Sequence, residues 1–147
     1  MLNKNEQSLM AWFKAHEDEM LALTEHLVNV DSGSHDKEGV DEVGRILEDW
    51  FEARNISSER FPLETHGDVI RASIETGANG REILLMGHRD TVFPKGEPER
   101  RPYTVSDGRA YGPGVSDMKA GLVQNAFILA AFAELGGAPG PIAALFT

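Results

Sequence analysis

No cysteine occurs anywhere in the chain. That excludes disulfides, thiolate zinc sites and a cysteine nucleophile, and it leaves the redox compartment open. No run of about 18 or more apolar residues is present either. The start, MLNKNEQSLM, lacks the apolar stretch of a secretory signal. With neither feature, a cytoplasmic protein without membrane contact is expected. Basic residues are scarce: 14 Lys and Arg stand against 24 Asp and Glu, for a formal charge of -10. Such a surface repels phosphate backbones and argues against a nucleic-acid partner. Carboxylates also gather to hold cations, but an acidic excess more often serves solubility. Repeats, low-complexity tracts and linkers are likewise lacking.

What is present is ordinary globular chemistry. Hydrophobic residues make up 41% and charged residues 26% of the chain, values that argue against disorder. A length of 147 residues suits one domain that buries roughly two-thirds of its unfolded surface.

Helical spacing of Leu9, Phe13, Met20, Leu23, Leu27 and Val30 predicts a helix over 6–30, stopped by Asp31-Ser32-Gly33-Ser34. A second amphipathic helix is predicted over 38–54. Val40, Val43, Leu47, Trp50 and Phe51 share one side of it, with Asp41, Glu42 and Glu48 elsewhere. Short runs at 60–63, 69–75 and 82–87 read as strands. The continuous apolar run Ile83-Leu84-Leu85-Met86 suits a strand covered on both faces. Residues 93–116 form a long loop with a short β-ribbon near Tyr103 and Ala110-Tyr111. A helix apolar nearly all round follows over 118–135 and is expected to be buried. Gly136-Gly137 ends it, and a terminal strand covers 141–147. The alternation predicts an α/β domain: a three-layer sandwich of helices around a mostly parallel or mixed sheet.

Most common motifs fail. His16-Glu17 opens an H-E-x-x-H pattern, but Met20 occupies the last position. Gly112-Pro113-Gly114 suggests a dinucleotide loop, yet Asp117 stands where the third glycine belongs, and a carboxylate there repels pyrophosphate. One constellation remains. His88 follows the apolar strand, where ligands of open α/β sheets gather. Asp90, two residues on, shares its side of an extended chain and can accept the outer imidazole N–H. Glycines 112, 114 and 121 allow close backbone approach. Asp117, at a loop-to-helix junction, can project into the same crevice. Imidazole and carboxylate are zinc donors. Plainer readings stand beside this one: His-x-Asp is common, Asp117 has the position of an N-cap, and Asp90-Thr91 can be a turn.

Taken together, M-G-H-R-D-T-V-F over 86–93 and A-Y-G-P-G-V-S-D-M-K-A-G over 110–121 resemble the M20 metallopeptidases. The likeness is greatest to the glutamate carboxypeptidase branch, and the stretches 27–34 and 36–40 share it. The resemblance implies two zinc ions in a complete active site. His88 would bind one, Asp117 would bridge both, and Asp90 would join the catalytic residues as the carboxylate behind His88. The Asp117–Met118 peptide is expected to be cis, as in family members. Arg89 occupies a variable position, either solvent-facing or near substrate.

The resemblance also sets an expectation about extent. Residues 141–147 look like the family strand that precedes an acidic segment carrying the general-base glutamate and a zinc-binding glutamate. Those residues, a later acidic ligand, a final histidine and a lid used for dimerisation are not in this sequence. Residues 1–147 are therefore expected to be the N-terminal portion of a catalytic domain, inactive alone and weak in zinc binding. The parent activity implied is hydrolysis of a C-terminal glutamate or N-acyl amino acid amide bond, with a small peptide or N-acyl amino acid as substrate. The alternative is a non-catalytic assembly or split-enzyme fragment that pairs with the missing half. Its terminal strand, 142–146, is expected to offer an open edge for self-association.

Overall fold

A computed structural model describes residues 2–74, 80–138 and 140–147. The predicted first helix is two: α1 (Lys4–Ala15) and α2 (Glu17–Val28). Asn3 and Glu6 start α1 with reciprocal side-chain-to-backbone hydrogen bonds of 3.0 and 2.7 Å. The break falls at His16, whose Nδ1 lies 2.8 Å from the Trp12 carbonyl oxygen and whose ring stacks on Trp12. Glu17, Asp18 and Glu19 then suit the positive start of α2. Apolar spacing alone runs through such a break.

Helix α3 (Lys37–Glu52) is capped by Asp36, whose side chain accepts from the Gly39 amide at 3.1 Å. Val40, Val43, Leu47 and Phe51 are buried as expected. Asp41 is a correction: it is buried rather than on the polar side. It accepts from Lys37 Nζ at 2.9 Å and from the Asp68 amide at 2.7 Å, so its burial is compensated.

The strands are β1 (Ser57–Phe61), β2 (Val69–Ile74) and β3 (Ile83–Gly87); position 75 of the expected second strand lies outside the described residues. A short helix not foreseen, α4 (Glu97–Arg100), interrupts the long loop. The expected ribbon is present as β4 (Thr104–Ser106) and β5 (Arg109–Tyr111). A turn, Val115–Lys119, leads into α5 (Ala120–Glu134), and β6 (Ile142–Phe146) ends the sheet.

The main sheet has the order β1-β2-β6-β3. Pairing is antiparallel between β1 and β2 and between β2 and β6, and parallel between β6 and β3. Ile70, Ala72 and Ile74 of β2 are in register with Phe146, Ala144 and Ile142 of β6. Together they form one face, and α1, α2, α3 and α5 all pack against it in a single core. Phe127 of α5 is fully buried there, 4.7 Å from the Trp50 ring and 6.0 Å from the Trp12 ring. Burying one such side chain contributes roughly 1.5–3 kcal/mol. The α/β architecture with a mixed sheet is thus as expected, and the helical layer that covers this core lies on one side.

Two expectations about strands are overturned. Among the described residues β3 is not covered on both faces: it is the edge strand, with Ile83, Leu84 and Met86 exposed. The terminal strand is not an open edge: β6 is hydrogen-bonded to β2 on one side and β3 on the other. A run of apolar residues cannot tell whether its covering partner lies in the same stretch of polypeptide. Among the described residues no helix is long and apolar enough to cross a membrane.

Candidate metal centre

The site is built where β3 ends. β3 and β6 run parallel, so both deliver their carboxyl ends to the same rim. Beyond Gly87 the chain stays extended. The Arg89 amide donates to the Thr147 carbonyl oxygen at 2.7 Å, and Thr91 pairs with the 31–34 loop through a 2.7 Å bond from its amide to the Ser32 carbonyl. Extended backbone alternates its side chains, and His88 and Asp90 accordingly emerge on one side, with Nδ1 of His88 3.0 Å from Asp90 Oδ1 and 3.0 Å from the Asp90 carbonyl oxygen. Ser34 Oγ donates to the other Asp90 oxygen and fixes the carboxylate from behind.

The opposite wall is the Gly-rich turn before α5. Gly112 and Gly114 both hold positive φ, 153° and 73°. A Cβ at Gly112 would meet Val28 at 2.4 Å, and one at Gly114 would meet Thr91 at 2.5 Å. Only glycine lets this turn lie so close to α2 and the His88 strand. The Asp117–Met118 peptide is cis, as expected. Lys119 is buried, and its Nζ donates to the carbonyl oxygens of Leu27 and Val30 at 2.8 and 2.7 Å, tying the turn to the end of α2. Burial pushes the Lys119 amine down to about 8, opposed by Asp31.

Asp117 does not cap α5, whose start has no side-chain cap. Its Oδ1 instead lies 2.9 Å from His88 Nε2 across the crevice, and its side chain is 88% exposed. The two residues separated in sequence therefore face each other, and a cavity of about 270 Å³ opens beside them, lined also by Asp90, Val92, Phe93 and Ser116. Burial pulls the His88 imidazole downward, but the Asp117 and Asp90 groups outweigh it and its pKa is raised. An Nδ1 proton on His88 would point at Asp90, and an Nε2 proton would point at Asp117.

A cation can take the place of that Nε2 proton. Zinc binds imidazole nitrogen and carboxylate oxygen at roughly 2.0–2.2 Å, so two ligands of one tetrahedral ion stand roughly 3.3 Å apart. The observed 2.9 Å needs to open by only a few tenths of an ångström. The donor types and their spacing fit; their number is short of four. Among the described residues no group of three or more His, Asp or Glu converges on one point. Asp90 does not supply the third donor, because it stands behind the imidazole.

Arg89 is neither solvent-facing nor near the crevice. It is fully buried and points away, under α3. Three contributors escaped sequence reasoning: Arg89, Lys119 and Ser34. The only available signal for the first two was their position beside the ligand candidates, since a basic residue at a loop is ordinarily solvated.

The family model described as Peptidase family M20/M25/M40 matches residues 84–147. Carboxypeptidase G2 from a Pseudomonas species is 37% identical over 123 residues, which is 80% of this chain and 28% of that protein. The chain belongs to the M20 peptidase family. Human carnosine dipeptidase 1 superposes with a TM-score of 0.81 at 18% identity, over 99% of this chain and 34% of that one. An M20 family metallo-carboxypeptidase from Sulfolobus solfataricus does so with a TM-score of 0.74 at 22% identity, over 87% and 30%. At those identities the structures share the fold. This M20 chain spans about a quarter to a third of the length of the relatives it matches.

Proposed function

We propose that this chain supplies one half of a zinc centre that hydrolyses amide bonds in small peptides or N-acyl amino acids, with a C-terminal glutamate the favoured leaving residue. The observation that supports it most is the meeting of His88 Nε2 and Asp117 Oδ1 at 2.9 Å, between segments that are far apart in sequence. When bound, zinc polarises the scissile carbonyl and lowers the pKa of a bound water. The residues present hold and orient. His88 offers Nε2 because Asp90 and its carbonyl oxygen keep Nδ1 protonated. Asp117 has a second oxygen in solvent, free for another cation.

No described carboxylate in the crevice is left over as a general base: Asp90 is engaged by His88 and Ser34, and Asp117 faces His88. Loss of such a base costs on the order of 10²–10⁴ in rate. The chain alone is accordingly inactive and binds zinc weakly. Calorimetric titration with zinc tests this reading. Micromolar or weaker binding that is abolished in H88A and in D117N supports it. Submicromolar affinity, or binding indifferent to both substitutions, refutes it.

The uncovered edge of β3 favours a second reading, in which the chain pairs with a separate polypeptide that carries the remaining ligands. Co-expression with that polypeptide separates the two: recovered hydrolysis of N-acyl amino acids indicates a split enzyme, and a stable inert complex indicates an assembly role.

A further inference from the structure

Between the two side chains that enter the crevice lies one that leaves in the opposite direction. Arg89 is 0% exposed. Its Nη1 donates to the Val40 carbonyl oxygen of α3 at 3.1 Å, while Nε and Nη2 have no hydrogen-bond partner among the described residues. The acidic groups that act on it do so through space, and each has another cation. Asp41 and Asp68 are engaged by Lys37 and Arg60, and Glu48 by Arg60. A guanidinium held this way is a poor stabiliser, since burying a charge is costly and is recovered only by close pairing.

A second feature makes room for it. Gly44 lies inside α3, where glycine is unfavourable relative to alanine. A Cβ at that position would sit 2.1 Å from Arg89 Nη1. Two choices that each weaken the fold thus meet at one contact. What the contact fixes is the direction of the chain at positions 88–90. The Arg89 carbonyl accepts from Ser32 Oγ at 3.0 Å, its amide donates to Thr147, and its side chain is locked inward. Alternation then obliges His88 and Asp90 to point outward.

We infer that Arg89 is a positioning residue: anchored under α3 in the space Gly44 leaves, it sets the direction in which His88 and Asp90 enter the crevice. The inference deepens the proposed metal site and rests on it only for what the crevice binds. The placement of the imidazole is independent of any metal.

The test uses the full chain carrying R89M or G44A. R89M leaves no acceptor stranded: Val40 O stays within the hydrogen-bond ladder of α3, and Asp41 keeps Lys37 and the Asp68 amide. Imidazole ¹H–¹⁵N spectra at one fixed neutral pH, thermal melts and titration with zinc alone are compared with the wild type. In R89M the melting midpoint is expected to stay level or rise. The His88 signals move towards those of the exposed His35 and His66, the other four histidines stay in place, and zinc binding weakens about tenfold or more. G44A pushes on the guanidinium without removing it and moves the same His88 signals. Wild-type His88 signals in R89M overturn the inference. So does a variant that melts far below wild type with all histidine signals moving together, because Arg89 is then an ordinary structural residue. If His88 alone moves but neither protein binds zinc, the positioning role stands and the metal reading falls.

Discussion

Replacing Asp90 by Asn separates charge from shape at this site. The side chain keeps its size, its carbonyl oxygen still accepts from His88 Nδ1 in place of the 3.0 Å contact, and its other atom still meets Ser34. What disappears is the negative charge that raises the His88 pKa together with Asp117. Removing an acidic partner of a metal-binding histidine costs typically about 10–100-fold in affinity, which is about 1.4–2.8 kcal/mol at 1.4 kcal/mol per tenfold. Stability should move far less, within about 0.5 kcal/mol, because no cavity or orphaned group is created. Zinc titration by calorimetry, NMR titration of His88 and urea unfolding of the same two proteins measure all three quantities. The expected pattern is weaker zinc binding, a lower His88 pKa and an unchanged unfolding midpoint. Unaltered zinc affinity with an unaltered His88 titration would refute the claim that Asp90 acts through the imidazole.

Other outcomes follow from the same geometry. The folded pKa of His88 lies above its ordinary 6.5, so its protonation stabilises the metal-free fold below that value, and the contribution is lost as pH rises through the folded pKa. Zinc competes with that proton, and its affinity should therefore climb about tenfold per pH unit through the same window; a flat profile by calorimetry excludes His88 as a ligand. F127A removes a fully buried ring set among Trp12 and Trp50 and should cost about 3–5 kcal/mol in urea unfolding; a loss below 1 kcal/mol, on the same scale, disproves the central packing role. K119M strips the donor from the Leu27 carbonyl at the end of α2 and the Val30 carbonyl just beyond it, and should destabilise the fold by about 1–3 kcal/mol; an unchanged melt contradicts it. If the chain self-associates, the open edge of β3 is the route, and M86K should return it to monomer in sedimentation velocity; association untouched by M86K places the contact elsewhere.

Much of the site was legible because its chemistry is written locally. His88 and Asp90 are two residues apart, and extended backbone puts such a pair on one side whatever surrounds it. Glycine at 112 and 114 announces backbone that comes too close for a Cβ, and the structure places Val28 and Thr91 there. The helical period of α3 and the nearly all-apolar run of α5 likewise marked residues that became core. The break at His16 was hidden because Phe13, Met20 and Leu23 keep helical spacing across it, and the His16 amide still donates to the Trp12 and Phe13 carbonyls while its ring adds a contact to Trp12.

By itself the sequence determined the types of element, the core faces of the helices, and which side chains are chemically able to hold a cation. Only the tertiary structure decided that β3 rather than β6 is the sheet edge, that Asp41 and Arg89 lie inside, and that Asp117 meets His88 instead of capping α5. The reason is physical. Alternation and helical period are properties of a few neighbouring residues, whereas burial and strand order depend on which distant segments supply the covering surface. An apolar run such as Ile83–Met86 reads the same whether or not its cover is part of the chain.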